Sequence, residues 1–238
     1  GAAPTQSYKD DPICLAVERA VKAGIVVVAS AGNYGQTPEG KQVYGSVTSP
    51  GISPYAITVG ALRTQGTEDP GDDEVARWSS KGPTAIDHIV KPDLVAPGSK
   101  IVSAAMKGST LATEYPDRFL DGPGSRDYFS MSGTSMAAAV VTGAVALLLD
   151  GHDDLTPLQT KIALQASADF MAGAGMLASG AGRLDLEDID LVSNLYPSQQ
   201  GNSQTAFSFS VPNANGANSQ VIIWGEVIIW GEVIIWGE

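Results

Sequence analysis

The sequence is poor in the residues that build several common kinds of functional site. Its 238 residues include one cysteine, Cys14, so an intrachain disulfide is excluded. The net charge of −12 argues against nucleic acid and anionic membranes as partners, because both require clustered basic residues. The longest apolar run is too short and too rich in glycine and alanine for a membrane span, and no signal peptide or lipidation motif is visible. We therefore expect no nucleic-acid partner and no membrane span.

Histidine is almost as scarce as cysteine, which limits the choice of a catalytic base. The two histidines are His88 and His152. His88 lies in a connection before a Lys-Pro-Asp strand, and His152 follows a long apolar helix, where a cation complements the helix dipole. Neither histidine stands in a motif that indicates a base.

The remaining composition is that of a core-forming α/β domain, with 43% hydrophobic residues. A predicted helix over residues 11–23 leads into a predicted strand over 25–29, the alternation typical of a parallel sheet. Further strands are predicted at 56–61 and 101–105, and a surface loop over 106–128. Within the first helix we expect Cys14 to be a buried small hydrophobe, the alternative being a reactive thiol.

The most informative segment begins at Ser132 and continues as an apolar helix to Leu149. Ser135 falls in the first turn of this helix, where backbone N–H groups have no partner inside the helix. Such an N–H, supported by the helix dipole, stabilises an oxyanion next to a nucleophilic serine. The alternative is a serine or threonine that simply caps a core helix. A second helix is predicted after Thr156, which is a good cap followed by proline.

Six segments in this order resemble the C-terminal half of the catalytic domain of the subtilisin-like serine proteases, the subtilase family. The resemblance implies an α/β fold, a three-layer sandwich with a mostly parallel sheet that here lacks its N-terminal part. It covers most of residues 1–190. The matching segments are Gly24–Asn33, Ser49–Ala61, Trp78–Pro83, Lys91–Gly98, Ser132–Ala137 and Gly180–Asp185.

The resemblance assigns two catalytic roles. Ser135 resembles the acylating nucleophile, whose own N–H is one oxyanion donor, and Asn33 resembles the second donor. Without the family pattern, an asparagine after Ala-Gly would be read as a turn residue. The chain departs from the family at Ala139, where subtilases usually carry proline.

The resemblance also implies a polypeptide substrate that pairs as an extended strand with the edges of the cleft. One edge begins at the N-terminal residues, for which a frayed terminus is the alternative. Small uncharged walls imply an open apolar pocket for the side chain that precedes the cleaved bond. The substrate-binding residues so assigned are Gly1, Ala2, Ser30, Ala31, Gly32, Thr48 and Pro50.

In subtilisin the catalytic residues follow the chain order aspartate, histidine, serine, and no segment here matches the first two. We therefore expect the chain to be a fragment, a processed product or one component of an assembly, inactive alone, with Asp and His supplied by an upstream segment or a second chain. The family implies a serine endopeptidase located outside the cell or at its surface. The alternative is an inert structural or assembly protein derived from a subtilase.

No cofactor is required by this interpretation, and no metal ligands are assigned. The acidic residues 68–74 either bind calcium or form a solvated acidic loop. We predict three regions: part of the catalytic domain over 1–196, a polar linker over 197–220, and three Val-Ile-Ile-Trp-Gly-Glu hexads over 221–238. The hexads are strongly β-prone, so they either cover an edge of the domain or join protomers into a homo-oligomer.

Overall fold

The computed structural model describes residues 1–67, 69–106, 108–122 and 127–187, together with the backbone of three C-terminal strands. The chain forms two compact units, Gly1–Leu195 and Tyr196–Glu238. The first unit is an α/β domain. The second contains an antiparallel sheet made of β8 (Phe207–Pro212), β9 (Asn218–Trp224) and β10 (Val227–Ile228).

The centre of the first unit is a four-stranded sheet. Its middle strand is buried on both faces along six of its seven residues, as expected for a strand covered by layers on both sides. This strand pairs in parallel with two neighbours and in antiparallel with a short fourth strand. The strands are β1 (Val28–Ser30), β2 (Ile57–Arg63), β3 (Glu74–Val75) and β4 (Leu94–Pro97).

The helices begin where the sequence places caps. Asp11 caps α1 (Pro12–Lys22), and a Thr156–Gln159 capping box opens α4 (Pro157–Ala166). The predicted serine helix is α3 (Thr134–Gly151), which packs against β1, β2 and β4. By length and composition α3 would also qualify as a membrane span, so the expectation that this run is too short and too rich in glycine and alanine was wrong. Its contacts with β1, β2 and β4 make it a core helix of the first unit. A short helix, α5 (Met176–Ser179), follows.

The segment between β4 and α3, predicted to contain an ordered surface loop, has more regular secondary structure than that prediction. It contains β5 (Ile101–Ala104), α2 (Thr110–Glu114), β6 (Phe119–Asp121) and β7 (Asp127–Met131). The three strands form an antiparallel sheet in the order β5-β7-β6. The loop prediction over 106–128 was therefore wrong for α2, β6 and the start of β7. α2 has five residues and β6 has three, which is too short for a clear periodic pattern in the sequence.

Two other expectations can be compared with the structure. β1 begins at Val28 and not at Ile25, because the Ile25 N–H donates to the Ala20 carbonyl and so completes the end of α1. Cys14 is 1% exposed, as predicted, and burial raises the pKa of its thiol to about 11. β8 and the first residues of β9 lie in the range predicted as a linker. Hexad residues 225–226 and 229–238 lie outside the described residues.

A buried cluster of charged side chains, formed by Lys91, Asp93 and Lys161, lies next to β2 and the start of β4. Both carboxylate oxygens of Asp93 are paired, one with Lys91 at 2.6 Å and the other with Lys161 at 3.0 Å. Asp93 also accepts from the Thr58 N–H at 2.7 Å. The two ammonium groups, together with that N–H, hold the pKa of Asp93 below its usual value despite the opposing effect of burial.

Candidate functional site

Ser135 is the second residue of α3 and is exposed at the helix N-terminus. The helix is capped by Gly133, whose backbone is extended and which offers no capping side chain. The Gly133 N–H donates to the Gly98 carbonyl at 2.8 Å, so the end of β4 holds the start of the helix. Within the described residues the Ser135 N–H has no acceptor. The serine hydroxyl and an unpaired N–H therefore face solvent together.

Asn33 lies in the turn that follows β1, next to this helix terminus. Its Oδ1 accepts from both the backbone N–H and the hydroxyl of Thr134, each at 3.0 Å. The Thr134 hydroxyl oxygen in turn accepts from the Gly32 N–H at 3.1 Å. Because Oδ1 is fixed in this way, the orientation of the amide is set and Nδ2 points away from Thr134. Nδ2 donates to no acceptor in the described part of the chain.

The two free donors, Ser135 N–H and Asn33 Nδ2, border one small space. A Cβ built on Gly133 would lie 3.5 Å from Asn33 Nδ2 and 3.8 Å from Ser135 N. An oxygen in that space would receive two hydrogen bonds beside the serine hydroxyl and at the positive end of the α3 dipole. This arrangement has the donors required to stabilise the oxyanion of a tetrahedral intermediate.

Most of the predicted pocket residues also come together. Thr48 is buried and donates its N–H to the Ala31 carbonyl at 2.9 Å. A Cβ on Gly32 would lie 2.8 Å from Thr48 Cγ2, and a Cβ on Gly1 would lie close to Thr48 Oγ1, so both glycines pack directly on this threonine. Ala2 forms an antiparallel bridge with Ser49.

Ser30 and Pro50 contribute less directly. Ser30 is the last residue of β1 and pairs with Val59. A Cβ on Gly51, the residue after Pro50, would lie 2.8 Å from the Ser30 carbonyl oxygen. Ala31, Gly32 and Thr48 are buried, whereas Ser30 and Pro50 are partly exposed and Gly1 is exposed.

Neither histidine belongs to this site. His88 lies in the loop before β4 and donates its N–H to the Thr84 carbonyl at 3.1 Å. His152 caps the C-terminus of α3, and Ser135 lies at the other end. At a rise of about 1.5 Å per residue, the 17 steps from Ser135 to His152 span about 25 Å. The arrangement therefore brings together an exposed serine hydroxyl and two unpaired N–H donors, and neither histidine is hydrogen-bonded to them in the part of the chain that the structure describes.

The acidic segment does not form a metal site among the described residues, which exclude Glu68. Asp69 accepts from the Gly71 N–H, Asp72 accepts from the Thr67 hydroxyl, and Asp73 pairs with Arg183 at 3.3 Å. These carboxylates are occupied by groups of the protein itself.

A separate cavity of about 780 Å³ lies behind this segment. It is bordered by Tyr44, Arg77, Asp169, Phe170 and Arg183, and by none of the predicted site residues.

Two groups at the site were not assigned a role from the sequence. Thr134 fixes the Asn33 amide, and residues 78–81 contact the turn that carries Asn33. Trp78–Pro83 was identified as a matching segment, but the sequence gives no sign of what it touches. The position of this segment next to Asn33 is seen only in the folded structure, from hydrogen bonds between residues more than 40 positions apart in the sequence.

Comparison with known proteins points to one family. A sequence model of the subtilase family (Peptidase_S8) matches residues 2–211. The chain is 40% identical over 182 residues to the serine protease AprX of Bacillus subtilis, covering 76% of this chain and 38% of AprX. It is 28% identical over 200 residues to the human membrane-bound transcription factor site-1 protease, covering 81% of this chain and 16% of that protein.

Solved structures agree with these sequence matches. Sphericase has a TM-score of 0.54 and 28% identity, with 73% of this chain and 52% of that chain covered. Fervidolysin from Fervidobacterium pennivorans, described as a keratinolytic enzyme related to subtilisin, has a TM-score of 0.54 and 27% identity, with 84% of this chain and 27% of that chain covered. The chain thus spans about half, or less, of the length of these relatives.

Proposed function

The chain belongs to the subtilase family, and on that premise we propose that it is the nucleophile-bearing part of a serine endopeptidase. The observation that carries the proposal is the pair of unpaired donors, Ser135 N–H and Asn33 Nδ2, beside the Ser135 hydroxyl. An N-cap serine on an ordinary core helix would not need an asparagine amide fixed by Thr134 from 101 residues away.

The reaction follows from this geometry. The Ser135 hydroxyl attacks the peptide carbonyl carbon and gives its proton to a histidine base. The carbonyl oxygen becomes an oxyanion and accepts hydrogen bonds from Ser135 N–H and Asn33 Nδ2. The amine then leaves with a proton from the histidine, and water hydrolyses the acyl-enzyme. In subtilisin itself, which belongs to the same family, loss of one side-chain donor costs about 2.7–4 kcal/mol of transition-state stabilisation.

The histidine base and its aspartate are proposed to come from an upstream segment or a second chain. Two features of the described residues support a missing partner. β1 is paired on one side only, by β2, and so presents an unpaired sheet edge. α3 is strongly apolar, yet Leu147 is 68% exposed on the same face as Ala139 and Gly143. A polypeptide that covers this face would remove apolar surface from water while it brings the base to Ser135.

The proposed substrate is an extended polypeptide. Gly1 and Ala2 begin one backbone edge with which it pairs, in the manner of a strand added to a sheet. Residues 30–32 form a wall of the pocket for its side chain, and the residues of this wall and of the floor at Thr48 are small and uncharged. We therefore expect large apolar side chains to be preferred immediately before the cleaved bond. We also propose that the protein acts outside the cell or at its surface.

The experiment compares two forms of the protein with a fluorophosphonate probe, which reacts with activated serines. The 238-residue chain alone should not react, and the protein expressed with an upstream segment that carries Asp and His should be labelled at Ser135. Ser135→Ala in the longer protein should abolish labelling, and Ser132→Ala should preserve it. Labelling of the chain alone would show a base within it, and an unlabelled longer protein with both residues intact would contradict the peptidase proposal.

A further inference from the structure

Residues 77–81, which we call the clamp segment, bind the backbone on both sides of Asn33. Two further hydrogen bonds reach this turn from elsewhere, from the Gly32 N–H to Thr134 Oγ1 and from the Val43 N–H to the Gly35 carbonyl. On one side of Asn33, the Gly32 carbonyl accepts from the Ser80 N–H at 2.9 Å. On the other side, the Tyr34 N–H donates to the Ser80 hydroxyl oxygen at 3.1 Å. One residue of the clamp segment therefore binds both peptide groups that flank Asn33.

Gly35 continues the contact. Its N–H donates to the Trp78 carbonyl at 2.9 Å, and its backbone approaches the clamp segment so closely that an added Cβ would overlap the Ser79 carbonyl oxygen. Only glycine allows the two chains to lie at this distance. The turn that presents Asn33 is thus packed on the clamp segment along its full length.

Lys81 closes the contact with its side chain. Its ammonium donates to the carbonyl oxygens of Gly35 at 3.2 Å, Arg77 at 3.1 Å and Ser79 at 3.3 Å. An ammonium has three donors, so these three acceptors satisfy it. Lys81 is only 4% exposed, and it binds backbone from both the Asn33 turn and the clamp segment.

The positive charge of the Lys81 ammonium stabilises the three carbonyl oxygens that surround it. Three carbonyl oxygens that converge on one point repel one another, and those of Arg77 and Ser79 accept no other hydrogen bond within the described residues. A positive charge among them converts that repulsion into attraction. A lysine is suited to this tripod because its compact ammonium can direct its donors to three separate oxygens, and the planar fork of arginine cannot.

We propose that Lys81 is a positioning residue for the oxyanion donor: it binds the Asn33 turn to the clamp segment and so fixes the Nδ2 group of Asn33 beside Ser135. The inference rests on the proposed peptidase function. Lys81 itself touches neither substrate nor reacting atoms. Its loss should therefore affect stabilisation of the transition state and leave binding of the ground state nearly unchanged.

The kinetic test uses Lys81→Met in the longer protein that carries the upstream segment. Methionine keeps the length of the side chain and removes all three donors. We expect kcat to fall about 10- to 100-fold with KM within about twofold, because a small displacement of a catalytic group has an effect of this size. Lys22→Met is the matched control, because Lys22 is exposed and its ammonium forms an ion pair with Glu18. The kcat of this variant should equal that of the wild type.

A double-mutant cycle separates positioning from a general loss of stability. In an Asn33→Ala background the donor is already absent, so Lys81→Met should lower kcat by less than about twofold further. The proposal would be overturned if Lys81→Met lowered kcat as much in the Asn33→Ala background as in the wild type. It would also be overturned if Lys81→Met alone raised KM and left kcat unchanged. Ser80→Ala keeps the ammonium and deletes one hydrogen bond to the turn. It should lower kcat about three- to tenfold, again only when Asn33 is present.

Amide hydrogen exchange tests the clamp without any activity. In the 238-residue chain, Lys81→Met should accelerate exchange of the Tyr34 and Gly35 amides at least about tenfold. The amides of Ala31 and Thr48, which donate to other carbonyls, serve as internal references. Unchanged exchange at Tyr34 and Gly35 would refute the clamp. A longer protein that does not react at Ser135 would instead refute the proposed function.

Discussion

Gly133→Ala separates catalysis from folding at this site. The Gly133 backbone is extended, with φ 164° and ψ 157°, a conformation open to alanine. The nearest atoms to the new methyl group would be Met136 Sδ at 3.4 Å, Asn33 Nδ2 at 3.5 Å and Ser135 N at 3.8 Å, which are ordinary contact distances. Stability should therefore be unchanged or slightly higher, because alanine has about 0.4–1 kcal/mol less chain entropy to lose on folding.

Catalysis should respond quite differently. A productive oxyanion must lie about 2.7–3.1 Å from its donors, and the methyl group would occupy that space. Loss of one such donor costs about 2.7–4 kcal/mol, so kcat should fall by about 10²- to 10³-fold or more. The measurements are the melting temperature, and the turnover and rate of fluorophosphonate labelling of the longer protein.

Gly173→Ala is the matched control, because nothing lies within 4 Å of a Cβ built there, in an exposed turn outside the proposed site and outside the exposed face of α3. It should raise stability by up to about 1 kcal/mol, with activity retained. If Gly133→Ala folded normally and kept wild-type kcat, the oxyanion could not lie between Asn33 and Ser135.

Three other changes give expected outcomes. Asn33→Ala should lower kcat by two to three orders of magnitude with little change in KM, and Asn33→Asp should be at least as damaging; a large KM change with kcat preserved would assign Asn33 to substrate binding. The pKa of Asp93 is lowered in the folded state. Its contribution to the free energy of unfolding is therefore fully present above the pKa of about 3.9 that it has in the unfolded chain, and it is lost as the pH falls through the lower pKa of the folded state. Asp93→Asn should therefore cost about 3–5 kcal/mol in urea denaturation at pH 7, with the difference from wild type narrowing in acid. Deletion of residues 221–238 should lower the oligomeric state measured by light scattering, with little change in the melting temperature. An unchanged oligomeric state together with a large drop in melting temperature would favour an edge strand within one protomer.

Local features could be predicted from the sequence because their causes are local. The start of α3 follows from small residues before a long apolar run, and α4 follows from Thr156 and a proline. Cys14 was placed correctly in the core by the spacing of apolar residues in α1. The family pattern then identified Ser135 and Asn33 as a pair.

Contacts between distant segments could not be predicted in the same way. The hydrogen bonds between Thr134 and Asn33 join residues 101 apart, and nothing in either local sequence specifies the other. Lys81 would be read from sequence as an ordinary surface lysine, because burial of its ammonium requires three carbonyl groups that only the folded chain assembles. α2 and β6 were missed for a different reason: α2 has five residues and β6 has three, so neither is long enough to show a periodic pattern.

In the proposed peptidase, the division of the catalytic groups between this chain and an upstream segment or second chain has a physical logic. Oxyanion donors act only if they are fixed before the charge develops, and here every described restraint on them comes from this chain: Gly98 binds Gly133, Thr134 binds Asn33, and the clamp segment binds the turn. A base, by contrast, must only reach the Ser135 hydroxyl in the correct protonation state. The electrostatic part of the site can therefore be formed before the base arrives. Covering the exposed face of α3 would then couple completion of the catalytic site to burial of apolar surface, so that activity depends on assembly of the whole domain.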